Sequence, residues 1–336
     1  MSTSQRVTIA DVATEAGVSI ATVSRVVNGQ YGVAPGTFSR VQAVIADLGY
    51  ESSLVARSLR SRRTNVIGII VADLEPFSAE LLKGAARAIR GTGYELIVYS
   101  GGGHVEDQVG WERRYLSRLN GTLTDGTILV TPTVVDVSSG APVVAVDPHA
   151  GSSALPTVDS QNLEGAVAAT EYLISLGHRR IGFLAGRPDL ESARLREMGY
   201  RAALDNAGLP YDPELVRIGG YTQESAEAPA RQLLEMERPP TAIFAANDLS
   251  AIKTMEVARG MGLIIPDDLS VIGFDNIPES ALSTPALTTI DQSIQEMGFE
   301  AGRMLIGLID EPGREPVHLT LPTELVVRQS CRAPSR

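Results

Sequence analysis

Cysteine is nearly absent from this chain of 336 residues, because Cys331 is the only one. A single cysteine excludes an internal disulfide and a metal site built on several thiolates. Aromatic residues make up only 5% of the sequence, so a buried core has to consist of Val, Ile, Leu and Ala. The four histidines, at 104, 149, 178 and 318, have no ligand spacing, and we expect neither a metal site nor a cofactor.

Long apolar runs are missing as well. The most apolar stretches, such as VIGIIVA at 66–72, are far too short to span a bilayer. The start, MSTSQRVTIADVATEAG, contains no apolar signal region. We therefore expect a cytoplasmic protein with no membrane partner.

Positive charge is concentrated near the N-terminus. Residues 1–64 hold seven arginines, no lysine and four acidic residues, a net charge of +3. The rest of the chain holds 22 basic and 36 acidic residues, a net charge of −14. This asymmetry indicates a basic head on an acidic body, and it argues against a chain that coats nucleic acid along its whole length.

Two short helices are predicted in the head. Thr8 is a good N-cap for IADVATEA, Asp11 completes a capping-box arrangement, and Gly17 is suited to end the helix. Ser19 is the next N-cap, and in SIATVSRVVN the residues Val23, Val26 and Val27 form the inner stripe. Two helices joined by a tight Gly-containing turn are typical of a helix-turn-helix motif.

The second helix of such a motif enters the DNA major groove. Its outer face here is small and polar, with Ala21, Thr22, Ser24 and Arg25 on it. An arginine can form paired hydrogen bonds to guanine, and the hydroxyls can reach phosphates or bases. The pattern alone leaves open an ordinary surface helix with one arginine.

A third helix is predicted over about Pro35 to Leu48, followed by a basic segment, SLVARSLRSRR, at 53–63. Leu54 and Leu59 are apolar there, and Arg57 lies between them. A basic helix with an exposed leucine suits the DNA minor groove, where apolar side chains open base steps. A linker that folds only on DNA is compatible with the same pattern.

VTIADVATEAGVSIATVSRVVNG followed by LGYESSLVARSLRSRRTNVIGIIV resembles the N-terminus of the LacI family of transcription regulators, and the resemblance continues to about Arg328. It implies a homodimer or tetramer that binds a palindromic double-stranded DNA operator. It further implies that Leu59 inserts at the operator centre with Arg57 beside it. By motif position, Ile20, Ala21 and Arg25 are base readers, and the backbone anchors are Thr8, Ser19, Ser24 and Asn28.

Three positions depart from the family pattern. Ile20 and Ala21 are apolar where many relatives have polar readers, so no base preference is assigned there. Ala34 replaces the serine that usually caps the third helix, which weakens that helix end by about 1 kcal/mol. Glu51 and Ser52 replace an apolar-Pro pair before the hinge and add an acidic residue near DNA.

Apolar runs alternate with helical stretches from Val66 onward, which predicts parallel sheets with right-handed crossovers in two halves, divided at about Asp159. The full assignment is an all-α head at 1–52, a hinge helix and linker at 53–64, and a two-lobed α/β core of the periplasmic-binding-protein type at 65–330. Lobe 1 would contain 65–159 and 293–330, and lobe 2 would contain 160–292.

Ligands of open α/β sheets bind at the carboxyl ends of the strands. Asp147, Asp248 and Asp275 each follow an apolar strand; we expect Asp248 to cap a helix and Asp275 to bind ligand. The resemblance implies that Arg196 is the effector arginine and that a sugar, the family's commonest effector, binds between the lobes. The same resemblance gives the cleft lining Ser78, Asp147, Asn247, Asp275 and Gln292, and Phe77 and Tyr221 are suited to stack on a sugar ring.

We expect a repressor controlled by a small-molecule effector, and a dimer because the C-terminus lacks an apolar heptad tail. The alternative of a solute-binding module without a DNA role predicts a signal peptide and no basic head. An enzyme of dinucleotide-binding fold would need a phosphate fingerprint. SGGGH at 100–104 lacks that spacing, and we expect it to be a loop.

Overall fold

The chain divides between Thr64 and Asn65 into an N-terminal and a larger C-terminal unit. The computed structural model describes residues 7–27, 31–50, 63–102, 110–134, 139–149 and 155–334. Within these residues, every helix is too short or too polar to cross a membrane.

The described residues of the N-terminal unit form three helices: α1 (Ile9–Ala16), α2 (Ile20–Val27) and α3 (Pro35–Leu48). The predicted capping box is present, because the Asp11 carboxylate accepts a hydrogen bond from the Thr8 backbone N–H at 2.8 Å. Gly17 ends α1 with φ 63°, a conformation that favours glycine. The tight turn that follows joins α1 to α2, so the helix-turn-helix prediction is confirmed.

The core of this unit is small and aliphatic. Val27, predicted on the inner stripe of α2, is only half-buried. No side chain among the described residues caps α3 at Ala34. The departure at 51–52 and most of the predicted hinge helix lie outside the described residues. The six buried core residues are Val12, Ala13, Ala16, Val23, Val26 and Val41.

A six-stranded, fully parallel sheet forms the first lobe of the C-terminal unit. Apolar side chains fill both faces of its central strands, as the continuous apolar runs predict. The strands are β1 (Val66–Val71), β2 (Glu95–Ser100), β3 (Gly126–Val130), β4 (Val143–Val146), β5 (Thr157–Ser160) and β11 (His318–Leu321). Their order across the sheet is β11-β5-β4-β3-β1-β2.

A four-stranded parallel sheet in the order β7-β6-β8-β9 forms the second lobe. A two-stranded antiparallel ribbon of β10 and β12 accompanies it. The strands are β6 (Ile181–Ala185), β7 (Val216–Ile218), β8 (Ala242–Ala245), β9 (Ser270–Ile272), β10 (Thr289–Asp291) and β12 (Glu324–Val326).

Within the described residues, helices connect most of the successive strands in both lobes, which confirms the predicted fold class. The late helix packs on the first lobe, because Met297, Ala301 and Leu305 share a core with Ile67 of β1. The helices are α4 (Pro76–Ala88), α5 (Trp111–Leu119), α6 (Asn162–Ser175), α7 (Glu191–Asn206), α8 (Gln223–Leu234), α9 (Asp248–Gly260), α10 (Pro278–Leu282) and α11 (Ile294–Asp310), with a 3₁₀ turn at Pro213–Leu215.

Candidate functional site

A cavity of about 360 Å³ lies where the carboxyl ends of the strands of both lobes meet. Parallel strands end in loops at one edge of their sheet, which is where open α/β folds bind ligands. The structure brings all eight effector residues predicted from the sequence into the lining of this one cavity: Phe77, Ser78, Asp147, Arg196, Tyr221, Asn247, Asp275 and Gln292.

Three buried polar side chains form the floor of the cleft. Gln292, just after β10, donates from Nε2 to Asp275 Oδ1 at 2.5 Å. Arg196 Nη1 lies 3.4 Å from the same oxygen. Gln292 also accepts a hydrogen bond from the Ser160 hydroxyl at 2.9 Å. The resulting network joins the ends of β5, β9 and β10 to α7.

Arg196 is 3% exposed, and a buried charge of this kind is stable only when it is paired. Its Nε donates to Asn162 Oδ1 at 2.9 Å, and Nη1 donates to the carbonyl of Ala246 at 2.5 Å. The guanidinium carbon lies 3.8 Å from the centre of the Phe274 ring, a cation–π distance. These contacts fix the guanidinium beside the Asp275 carboxylate.

The backbone at Asp275 is strained. Asp275 has φ 118° and Asn276 has φ 57°, so two consecutive residues other than glycine lie at positive φ. Such conformations cost about 1–3 kcal/mol each, and they concentrate at functional sites. The strain directs the carboxylate at the end of β9 into the cleft.

The prediction that Asp248 caps a helix is wrong. Asn247 is the N-cap of α9, because its side-chain oxygen accepts from Ser250 N at 3.0 Å. Asp248 is the first residue of the helix, and its fully buried carboxylate accepts from the Thr289 hydroxyl at 2.5 Å and from Ile277 N at 3.0 Å. The sequence places both residues before a helix, but only the distant partners determine which one caps it.

Two aromatic side chains line opposite parts of the cleft. Phe77 belongs to α4 in the first lobe, and Tyr221 follows β7 in the second lobe. The Tyr221 hydroxyl is buried and makes no hydrogen bond to the described part of the chain. The nearby Ser192 side chain lowers the pKa of Tyr221, but less than burial raises it. Burial raises the pKa of Tyr221 to about 12, so the hydroxyl remains a donor at neutral pH.

Carboxylates outnumber buried cations in the cleft. Glu75, Asp147 and Asp275 all line it, and burial is the main cause that raises the pKa of each. The Arg196 guanidinium opposes this shift at Asp147 and Asp275. A cleft of this kind supplies many hydrogen-bond acceptors and disfavours a further negative charge.

Several lining residues were not predicted from the sequence. Glu75, Thr131 and His149 lie within four residues of strand ends, so the strand-end rule that selected Asp147 could have found them. Arg187 follows β6 in the same way. Trp111 begins α5, and nothing in its sequence context indicated the cleft.

The predicted DNA-reading residues of α2 are accessible. Ile20 is 49% exposed, and Ala21 and Arg25 are exposed beside it. Ser19 accepts a hydrogen bond from Thr22 N at 3.2 Å, so its side chain caps α2. Thr22 and Ser24 are half-buried, and Thr8 is exposed. Asn28, Leu54, Arg57 and Leu59 lie outside the described residues.

The described ranges contain no group of three His, Cys, Asp or Glu side chains able to hold a metal ion. His178 lies in the turn between α6 and β6 and is buried in a hydrogen-bond network with Thr241, Ser270 and the carbonyl of Arg332. It lies at the amino end of β6, and the cleft lies at the carboxyl end.

Two family models match the chain: bacterial regulatory proteins of the lacI family at residues 8–53, and a periplasmic binding protein-like domain at residues 170–331. The HTH-type transcriptional regulator CelR of Thermobifida fusca is 35% identical over an alignment of 341 residues, gaps included. The alignment covers 97% of this chain and 98% of CelR. The HTH-type transcriptional repressor CytR of Escherichia coli (strain K12) is 32% identical over 333 residues, covering 97% and 96%.

Solved structures give the same result. A lac repressor dimer bound to operator and the anti-inducer ONPF has a TM-score of 0.84 and 28% identity, and the match covers 98% of this chain and all of that one. The CelR–cellobiose complex has a TM-score of 0.72 and 33% identity over 97% of this chain. The named relatives are transcription regulators rather than enzymes. The chain belongs to the LacI family and is a DNA-binding transcription regulator with an effector site.

Proposed function

We propose that this chain is a cytoplasmic, non-enzymatic repressor that binds a palindromic operator as a homodimer and changes its operator affinity when an uncharged sugar occupies the cleft between its two lobes. The eight predicted effector residues are its sugar-contacting set. The exposed face of α2, with Ile20, Ala21 and Arg25, is its base-reading surface.

One observation carries the effector part of this proposal: polar groups from both lobes converge on one cavity with hydrogen-bonding capacity to spare. Asp147 Oδ2 accepts one bond, from Ser192, and the buried Tyr221 hydroxyl makes no hydrogen bond within the described ranges. The Asp275 carboxylate lies beside the Arg196 guanidinium, whose Nη1 is 3.4 Å from Asp275 Oδ1. Vicinal hydroxyls both donate and accept, so they match this set, and Phe77 and Tyr221 suit the apolar face of a sugar ring.

The sugar class also agrees with the ligand of a relative. CelR was solved in complex with cellobiose, and a LacI family regulator of Enterococcus faecium was solved with bound ribose. Both matches cover most of this chain, at 97% and 80%. Cellobiose and ribose are therefore the first probes to use.

The DNA part of the proposal depends on the surface of α2. Arg25 is exposed on the helix that a helix-turn-helix inserts into the major groove, and no acidic residue occurs within α2. The overall charge of −11 leaves little general attraction to duplex DNA, so specific contacts of the head have to provide the affinity.

The test combines operator selection with ligand titration. Random duplexes are selected on the full-length protein at modest salt, and the selected site is titrated with and without each sugar of a panel that includes cellobiose and ribose. An inverted repeat whose affinity changes with one sugar is the expected result. Selection of no preferred sequence under any sugar overturns the DNA role, and an inverted repeat insensitive to the whole panel overturns the sugar assignment.

Arg25→Ala and Arg40→Ala form a matched pair for the reading surface. Both remove one exposed positive charge from the same small unit. Only Arg25→Ala should reduce the preference for the selected site over random duplex, by about 1–3 kcal/mol per lost base contact. Equal effects of the two variants would assign Arg25 a purely electrostatic role.

A further inference from the structure

We propose that Asp248 and Arg328 are positioning residues of the effector site, which hold the left-handed backbone of Asp275 and Asn276 and thereby keep the Asp275 carboxylate in the cleft. Neither residue is among those predicted to contact the effector, and Arg328 does not line the cavity. The inference rests on the proposed function, because it assumes that Asp275 binds the effector.

Asp248 holds the backbone immediately after Asp275. Its Oδ2 accepts from Ile277 N at 3.0 Å, and its Oδ1 accepts from the Thr289 hydroxyl of β10 at 2.5 Å. The N-terminus of α9 is thereby linked to both chain segments that border Asp275. Asp248 is fully buried, so water cannot replace these bonds.

Arg328 holds the side chain of Asn276. Its Nη2 donates to Asn276 Oδ1 at 2.6 Å, and Nη1 donates to the carbonyl of Leu287 at 2.7 Å and to the Ser280 hydroxyl at 3.1 Å. Asn276 Nδ2 in turn donates to Asp291 Oδ2 at 2.9 Å. Asn276 is therefore fixed from two sides in the left-handed conformation.

Gly273 makes room for this arrangement. A Cβ at Gly273 would lie 2.2 Å from Asp248 Oδ1, far inside contact distance. The glycine thus lets the chain just after β9 pass directly against the Asp248 carboxylate. Gly273, Asp248, Asn276 and Arg328 form one supporting layer behind Asp275, which touches the cleft from the other side.

Strained residues persist only where their surroundings determine the conformation. If the anchors exist to impose positive φ, a residue that adopts positive φ freely should replace part of their effect. Glycine is that residue. A purely structural role for Arg328 predicts that any rescue appears equally in the Tm, because glycine at 276 also removes the side-chain oxygen that Arg328→Ala leaves unpaired.

The experiment measures calorimetric affinity of the full-length protein for the panel sugar that the wild-type chain binds. Arg328→Ala should weaken binding about tenfold. Asn276→Gly should weaken it less, and the double variant Arg328→Ala/Asn276→Gly should bind more tightly than Arg328→Ala alone. Gly273→Ala, which displaces Asp248 by a different route, should also weaken binding.

Arg180→Ala is the matched control. Arg180 is likewise half-buried and bonds to the Arg238 carbonyl at 2.7 Å and to Asp212 at 3.0 Å, but at the amino end of β6, away from the cleft. It should lower the Tm while leaving sugar affinity unchanged. If Arg328→Ala is too unstable to titrate, Arg328→Gln, which keeps most of the side-chain volume, takes its place in both arms.

Wild-type affinity in Arg328→Ala, or a double variant no better than Arg328→Ala, overturns the inference while leaving the proposed function intact. A wild-type chain that binds no sugar of the panel overturns the proposed function, and the inference with it. The two failures are therefore distinguishable by the behaviour of the wild-type chain.

Discussion

Ser192 and Asp147 join the two lobes across the cleft: the Ser192 hydroxyl, at the start of α7, donates to Asp147 Oδ2 after β4 at 3.1 Å. The backbone supports the same crossing, since Glu191 N donates to the carbonyl of His149 at 3.1 Å. Both bonds connect the loop after β4 of the first lobe to the start of α7, which follows β6 of the second lobe. Opening of the cleft would therefore break them.

Ser192→Ala is expected to weaken effector binding about tenfold, because a hydrogen bond to a carboxylate that helps close the cleft is lost. Calorimetry with the bound sugar measures the effect. Ser175→Ala is the control, since that hydroxyl bonds the Tyr172 carbonyl on the outer surface of α6. Equal affinity of Ser192→Ala and the wild type would mean that the observed closure contributes nothing to binding.

The charge of the cleft predicts a preference among sugars. Glu75, Asp147 and Asp275 face the cavity, and Arg196 is already bonded to four partners. A sugar phosphate should therefore bind about 100-fold more weakly than its neutral parent, because its charge meets carboxylates with little free cation nearby.

Paired titrations of a neutral sugar and its phosphate measure this difference. Asp147→Asn should narrow it by removing one of the opposing charges. A phosphate that binds as tightly as its parent would show that the guanidinium groups, rather than the carboxylates, determine the charge preference of the cleft.

Apolar runs allowed the sequence to predict β1, β2, β3, β4, β6, β8 and β9. All of these except β2 are buried on both faces, and such strands have few other compositions. The short strands β7, β10 and β12 carry only three residues each and escaped prediction. These strands form because they pair with neighbours that are distant in sequence. A short stretch of sequence does not identify those neighbours.

The cleft lining followed from strand ends and from family resemblance, whereas its support did not. Asp248 depends on Ile277 and Thr289, which lie 29 and 41 residues away. Its local context, a polar residue before a helix, favours capping equally well. Only the folded chain distinguishes a cap from a buried anchor.

The lowered pKa of His178 leads to a prediction for the stability of the protein in mild acid. Burial lowers its pKa below the ordinary 6.5, and the hydrogen bond to the Arg332 carbonyl opposes this only in part. Below pH 6.5 the unfolded chain therefore binds a proton at this position that the native chain does not. The neutral, buried His178 therefore contributes its full stabilisation above pH 6.5. This contribution to the free energy of unfolding decreases as the pH falls below 6.5.

His178→Gln should reduce the acid-side slope of the unfolding free energy, by at most about 1.4 kcal/mol per pH unit. Urea unfolding at pH 5 to 7.5 measures this slope. His149→Gln gives a comparison, because burial also lowers the pKa of His149. Parallel profiles for the wild type and His178→Gln would show that His178 takes up its proton in the folded state.

The missing cap of α3 gives the last prediction. Ala34 has the extended backbone of an N-cap, with φ −61° and ψ 142°, but it has no side-chain oxygen to accept from the first turn. Ala34→Ser supplies that acceptor and should stabilise α3 by about 1 kcal/mol, which slows amide exchange across Pro35–Leu48 about fivefold. Ala46→Ser, on the exposed last turn of α3, makes the same chemical change where no cap is needed and should not slow exchange. If the two serines had the same effect, the backbone at residue 34 would not be acting as a cap.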